Sequence, residues 1–455
     1  VKIPNLPNLR LGDRPQQRWL RLLGREAGRI REAVAPAELD VTEHNIRNLY
    51  IEVFWAAVLS AAAAFNAPFA LRLGATNTEI GLLTSIPALL ALLVTIPSGQ
   101  ILGRQARRMP SLIWSLYVYR VGFLLAALVP WLPGTDKGTA LVWLLVAFTT
   151  PAHYFGVGWS SMLADVIPEV KRARVFAVRN ILAALATTAG VFLAGQWLEY
   201  SDFPRNYQVM YLVGVAASML SLYYILKLRV PDSAVPCQTA PRQPASFRSV
   251  WHGFRQAAAT QPDFMRIVGN TLAHGIGLWL VAPLYVLYFV RTLGANEGWI
   301  GLNNTVANLA PVVGYYAWQR AIHRWGENRV LKWAISGIGL YPVLVGLTPD
   351  LTPILVWTAL NGLVAPGINL SHFSMLLKVC PDAERPAYLG IYTSVMNVGA
   401  FIMPLLGVYL ADIFGLAPVL VVGGIICLAG SSLFRVRALQ TPDSLATRRA
   451  LMSGG

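Results

Sequence analysis

Apolar residues along this chain gather into long runs separated by short charged or Gly/Pro-rich breaks, without sustained alternation of apolar and polar positions. A helix needs about 20 mostly apolar residues to cross the ~30 Å hydrocarbon core of a membrane. Twelve runs of that kind are legible, over residues 50–71, 79–102, 111–132, 139–164, 174–198, 207–228, 266–290, 299–322, 330–348, 352–378, 386–413 and 416–435. The pattern predicts an all-α membrane protein with twelve transmembrane helices.

The runs also repeat. "LGATNTEIGL" at Leu73–Leu82 and "LGANEGWIGL" at Leu293–Leu302 lie 220 residues apart and share six of ten residues. Each copy covers the end of one helix, a tight Gly-bearing turn and the start of the next, so the copies mark equivalent hairpins in spans 1–2 and 7–8. "PEVKR" at Pro168–Arg172 and "PDAER" at Pro381–Arg385 correspond in the same way after spans 4 and 10. The chain therefore reads as two pseudo-symmetric six-helix bundles, 47–228 and 266–437. A basic amphipathic segment (1–46) precedes them, a connector (229–265) joins them and a tail (438–455) follows. Such duplication is the trace of a secondary transporter fold whose halves rock about a site between them.

Composition agrees, with 55% of residues apolar and 13% charged. The net charge of +15 matters through its distribution. With the N-terminus in the cytoplasm, all of the 37 Lys and Arg residues fall on the cytoplasmic side except Arg72, Lys137, Arg205, Arg291 and the intramembrane Arg120. This positive-inside asymmetry predicts a multi-pass protein of the cytoplasmic (inner) membrane with both termini cytoplasmic, and no nucleic-acid partner. Ahead of span 1, Trp19, Leu22, Leu23, Ile30 and Val34 share helical spacing with Arg18, Arg21, Arg25 and Arg29. A helix lying on the inner membrane surface and a solvated cytoplasmic arm both fit that segment. It lacks the apolar core of a cleaved signal peptide. Cys237, Cys380 and Cys427 have neither metal spacing nor a disulfide framework. The Pro-rich connector contains no phosphate-cradling glycine loop, and no hydrolytic signature is present. An enzyme or an ATP-driven pump is not indicated, and no cofactor is expected.

The loop "GQILGRQARRM" after span 2 places Gly99, Arg104, Arg107 and Arg108 at the spacing of a known signature of the major facilitator superfamily. The chain resembles that superfamily from about residue 47 to 437. Gly103 stands in place of the signature's acid and Ala106 in place of its second glycine. The second-half counterpart keeps Arg324 and Gly326, with His323 at the acidic position. The resemblance implies a cytoplasmic gate built from Gly99, Arg104, Arg107, Arg108, Arg172, Arg324 and Arg385, with Asp165 supplying the missing acid. A basic loop that only anchors the protein to the membrane is the alternative.

The same resemblance implies that spans 1, 4, 7 and 10 line a central cavity. Each carries polar or aromatic residues at three- or four-residue spacing, hence on one face. Span 1 has Glu52, Trp55 and Asn66; span 4 has Thr149, His153, Gly156 and Ser160; span 7 has Asn270, His274, Gly277, Tyr285 and Tyr288; span 10 has Thr358, Asn361, Asn369 and His372. Polar groups facing lipid would go unsatisfied, so these faces should meet protein or water. The candidate solute contacts are Trp55, Asn66, Arg120, Thr149, His153, Trp279, Tyr285, Tyr288, Asn361 and Asn369. Glu52, His274 and His372 are the candidates for proton coupling. Each residue also has a structural reading, as a helix–helix hydrogen bond or a packing contact. Arg120 carries an insertion cost of about 2.5–3.5 kcal/mol at mid-membrane, so something inside the protein should face it. That is either an anionic group of the solute or Glu52, or else backbone carbonyls with Tyr117 or Tyr119.

Aromatic residues among these positions favour an amphipathic or aromatic organic solute over a bare ion. "GAFIMPLLG" in span 11 resembles the Gly/Pro signature of exporters and leans toward efflux. The expected molecule is a monomeric secondary transporter working by alternating access. Its partners would be a small-molecule substrate, membrane lipid and a proton or other coupling ion. The alternative is a membrane scaffold that keeps the fold without transport.

Overall fold

The computed structural model describes residues 41–229, 254–381 and 385–436, apart from positions 106, 135, 256 and 259. The expectations for the N-terminal basic segment, for most of the connector with Cys237, and for the tail lie outside the described residues. Twelve long helices run through the rest. The first half comprises α1 (Val41–Ala63), α2 (Asn77–Arg104), α3 (Met109–Leu128), α4 (Lys137–Val166), α5 (Glu169–Tyr200) and α6 (Arg205–Leu226). The second comprises α7 (Pro262–Val281), α8 (Glu297–Trp325), α9 (Glu327–Leu347), α10 (Leu351–Val379), α11 (Arg385–Phe414) and α12 (Leu416–Val436).

Among the described residues, eleven segments are long and apolar enough to cross a membrane on composition alone. The exception is α8, whose apolar face is interrupted by Asn303, Asn304, Thr305 and Asn308. Asn303 is buried there and accepts a 2.7 Å hydrogen bond from Thr358 on α10, so its polarity is met inside the second half. α1 begins well before its apolar run. Asn45 exchanges two hydrogen bonds with the Arg229 backbone beyond α6, at 2.8 and 2.9 Å, which lets the polar turns pack as helix.

The duplication is visible in the backbone. α1 breaks at Ala64–Phe65 and resumes as Asn66–Arg72; α7 breaks at Ala282–Pro283 and resumes as Leu284–Leu287 with a π-helical turn over Tyr288–Thr292. Pro283 has no N–H to continue the helical ladder. Both copies of the repeated phrase then turn on a glycine in the left-handed region, Gly74 at φ 92° and Gly294 at φ 66°, where a Cβ would be strained. The next helix is capped in each case, by the Thr76–Glu79 capping box and by Asn296 Oδ1 accepting from Trp299 N–H at 2.8 Å.

The two halves meet through α2 with α11 and α5 with α8, pairs that exchange under the pseudo-twofold. The ninth residue of each phrase makes a crossing. Gly81 of α2 lies against Val408 and Leu405 of α11, and Gly301 of α8 lies directly on Gly195 of α5. At this end one apolar core is shared: Phe65, Phe69 and Tyr211 of the first half and Leu284, Leu287 and Val408 of the second belong to one cluster. At the other end the core divides. Leu49, Leu112 and Val175 pack within the first half, and Phe264, Leu331 and Met375 within the second. The molecule is a fork, joined at the end bearing the repeated phrases.

Candidate functional site

Cross-half polar contacts gather at the joined end. Arg72, at the end of the first half's broken helix, donates to Glu297 at 2.7 Å, and the Tyr207 hydroxyl on α6 donates to the same carboxylate at 3.2 Å. Glu297 is 5% exposed, so this is a largely buried carboxylate held by both partners. Arg291 donates to the Ala75 carbonyl, Asn77 to Asp412, and Asn296 to Glu199. The two repeated phrases thus clasp one another's half.

Below the clasp, the first half contains a buried charge cluster. Glu52 of α1 is 5% exposed and Arg120 of α3 is 2% exposed. Arg179 of α5 donates to Glu52 Oε2 at 2.9 Å, and Ser221 of α6 donates to Oε1 at 3.2 Å. Arg120 Nη2 in turn donates to Ser221 Oγ at 2.8 Å. Two guanidinium groups therefore face one carboxylate. Arg120 Nη1 and Arg179 Nε are buried without a hydrogen-bond partner. Arg179 also lies over the Trp159 ring, 5.4 Å from its centroid. Glu52 sits about 16 Å along α1 from Val41, because the helix starts before its apolar run.

Sequence reasoning missed Arg179 and Ser221. The charge count places Arg179 on the cytoplasmic side, whereas α5 carries the residue about 15 Å beyond Glu169 and leaves 11% of its side chain exposed. The available signal was a charge inside an apolar run. The tie of Arg120 to Tyr117 is not formed: Tyr117 is exposed and stacks on Trp114.

The other candidates fall into separate places. Asn66 and Thr149 line a cavity of about 170 Å³ within the first half, together with Pro87, Tyr119, Phe123 and Phe148. Asn66 Oδ1 accepts from the Tyr211 hydroxyl at 2.7 Å, and Thr149 donates to its own Leu145 carbonyl. His153 lies against the Pro87 backbone on α2. Trp55 is partly buried beside Phe54.

In the second half, the span 7 stripe does not face a space between the halves. His274 contacts Ser431 Oγ at 3.0 Å and the Cys427 carbonyl at 3.3 Å, and Asn270 donates to the Leu433 carbonyl, so this face packs on α12. Gly277 touches the α12 backbone at Gly423 and Cys427, which is why the helices can approach so closely. His372 is paired with Thr271 at 2.7 Å. Trp279 fills the space beside Gly399 of α11. Tyr288 donates to the Thr348 carbonyl, and the Tyr285 ring lies against that of Tyr341 at a 38° tilt with its hydroxyl buried and unpaired. Asn361 Oδ1 is likewise buried and unpaired, and the exposed Asn369 donates to the Tyr315 hydroxyl.

At the divided end, Gly99, Arg104, Arg107 and Arg324 are exposed. Arg108 caps the end of α2 through the Leu102 carbonyl, and Arg172 the end of α4 through the Ile167 carbonyl. Arg385 opens α11, and Asp165 lies in the last turn of α4.

A family model described as Major Facilitator Superfamily matches residues 53–264 and 267–451. The chain belongs to the Major Facilitator Superfamily. An uncharacterized MFS-type transporter of Methanocaldococcus jannaschii is 21% identical over 380 residues, covering 82% of this chain and 93% of that protein. The multidrug resistance protein MdtG of Proteus mirabilis is 27% identical over 191 residues, 39% of this chain and 47% of its own length. Among solved structures, the nucleoside transporter NupG shares the fold at 12% identity with a TM-score of 0.62, covering 86% of this chain and 98% of its own. A POT family transporter does so at 13% identity with a TM-score of 0.65, covering 86% and 95%. This superfamily member is a multi-pass membrane protein, and its twelve helices fit the shared architecture.

Proposed function

We propose that this superfamily member is a secondary active transporter that moves a small amphipathic or aromatic organic solute by alternating access, driven by a proton gradient, in the direction of efflux. The observation that carries the reading is the fork: one shared core and a polar clasp at one end, two separate cores at the other. A carrier of two rocking halves needs such a division. By the charge asymmetry the divided end is cytoplasmic, so the conformation described is the one that loads from inside. The match to MdtG, named a multidrug resistance protein, supports efflux. Glu52 is the acid best placed to couple protons, since it alone among the candidates sits in a charge cluster between helices of the first half. The basic residues around the loop after α2 act as the inner gate in this reading.

The test is a screen of organic solutes for those that raise the melting temperature of the purified protein, since selective binding to the folded state stabilises it by mass action. The stabilising solutes are then offered to proteoliposomes containing a pH indicator. Solute-dependent proton movement supports the reading. A protein that binds none of them and moves no protons is the scaffold instead.

A further inference from the structure

The charge cluster of the first half does not balance. Arg120 and Arg179 bring two positive charges to the one carboxylate of Glu52, and among the described residues no other acid is bonded to them. Burying a guanidinium is tolerated when it is paired and its N–H groups are satisfied. Here Arg120 Nη1 and Arg179 Nε have neither partner nor solvent. Three features suit the site to a ligand rather than to a helix tie. Arg120 is held by Ser221, a neutral hydroxyl that relays it to Glu52, which leaves its planar fork only half used. Arg179 keeps 11% of its side chain exposed, so the cluster can be reached at its edge. Trp159, stacked on Phe155, puts aromatic surface beside that guanidinium.

We propose that Arg179 and Arg120 form a seat for the carboxylate of an anionic aromatic solute, with Trp159 against its apolar body and Glu52 holding the seat when the solute is absent. This rests on the transporter reading and narrows its substrate class to organic anions. A guanidinium binds a carboxylate bidentately, which an amide of the same shape cannot reproduce. Removing the Glu52 charge takes away the internal competitor. It leaves the two cations for the ligand alone.

The experiment uses the full chain in nanodiscs of zwitterionic lipid, so that no lipid anion competes, and titrates sodium benzoate against benzamide at constant ionic strength. Benzoate should bind about tenfold or more tighter than benzamide. Glu52→Gln should strengthen benzoate binding several-fold, and Arg179→Gln should abolish the preference for benzoate. Arg179→Lys, which keeps the charge without the fork and is the milder change for folding, should retain part of it. Equal binding of benzoate and benzamide, or weaker benzoate binding by Glu52→Gln, would overturn the proposal. So would stabilisation by sodium chloride equal to that by benzoate, which would mark a structural anion site. A neutral solute that moves with protons while benzoate shows no advantage would sink the anion seat and leave the transporter reading standing.

Discussion

The crossing of Gly195 and Gly301 sets how tightly the joined end can close. A Cβ added at Gly301 would lie 2.8 Å from the Gly195 Cα and 3.1 Å from the Val191 carbonyl oxygen. Carbon atoms in contact prefer about 3.5–4.0 Å, so α5 and α8 would have to part by roughly 1 Å. Both near atoms are backbone, and no side-chain rotation can relieve the clash. Overpacking of this kind costs about 1–3 kcal/mol. The cost falls on the closed arrangement alone, because separated helices leave room for the methyl group. Gly301→Ala should therefore shift the population toward opening at this end by about 5- to 150-fold. Asn308 lies about two turns along α8 on the same face, below the crossing. A cysteine placed there should react with a membrane-impermeant maleimide in sealed cells faster in the Gly301→Ala background, by a factor in that range. Gly390→Ala, whose Cβ would meet nothing within 4 Å, is the control. An unchanged labelling rate in Gly301→Ala, or an equal rise in the control, would refute the reasoning.

Glu52→Gln leaves two buried guanidinium groups facing a neutral amide, so thermal denaturation should show a loss of about 3–5 kcal/mol, much of it recovered when Arg179→Gln is added. No recovery in the double variant would mean that the pair is not coupled as described. Gly294→Ala forces a Cβ into the left-handed region and should cost about 1–2 kcal/mol in the same assay, although the side chain has open space around it. Cys237 should resist an impermeant thiol reagent in intact cells and react after lysis if the connector is cytoplasmic; rapid labelling in sealed cells would reverse the assigned orientation.

The helices and the halving were legible because both leave periodic marks. Apolar runs of membrane length and a phrase copied at a fixed offset need no knowledge of packing. The runs located membrane-crossing segments rather than helix ends, since polar turns such as those around Asn45 join a helix whenever another element satisfies them. The site was less legible. Helical spacing shows which residues share a face but not what that face meets. His274 and Asn270 share theirs with α12, which arrives from more than 150 residues away in the chain. Ser221 carries no signal at all in the sequence, because a lone serine in an apolar helix looks the same whether or not it bridges an arginine and a glutamate. Arg179 was visible as a charge within an apolar run, yet it was hidden by the many basic residues around it.

Alternating access itself is tested most directly by two inter-spin distances in lipid. One pair, Tyr200 with Phe414, reports the joined end, and the other, Arg104 with Arg324, reports the divided end; all four side chains are exposed. The account predicts two populations at each pair that exchange in opposite senses when a stabilising solute or a change of pH is applied, the first pair lengthening as the second shortens. A single, invariant distance at both pairs under all of these conditions would contradict it.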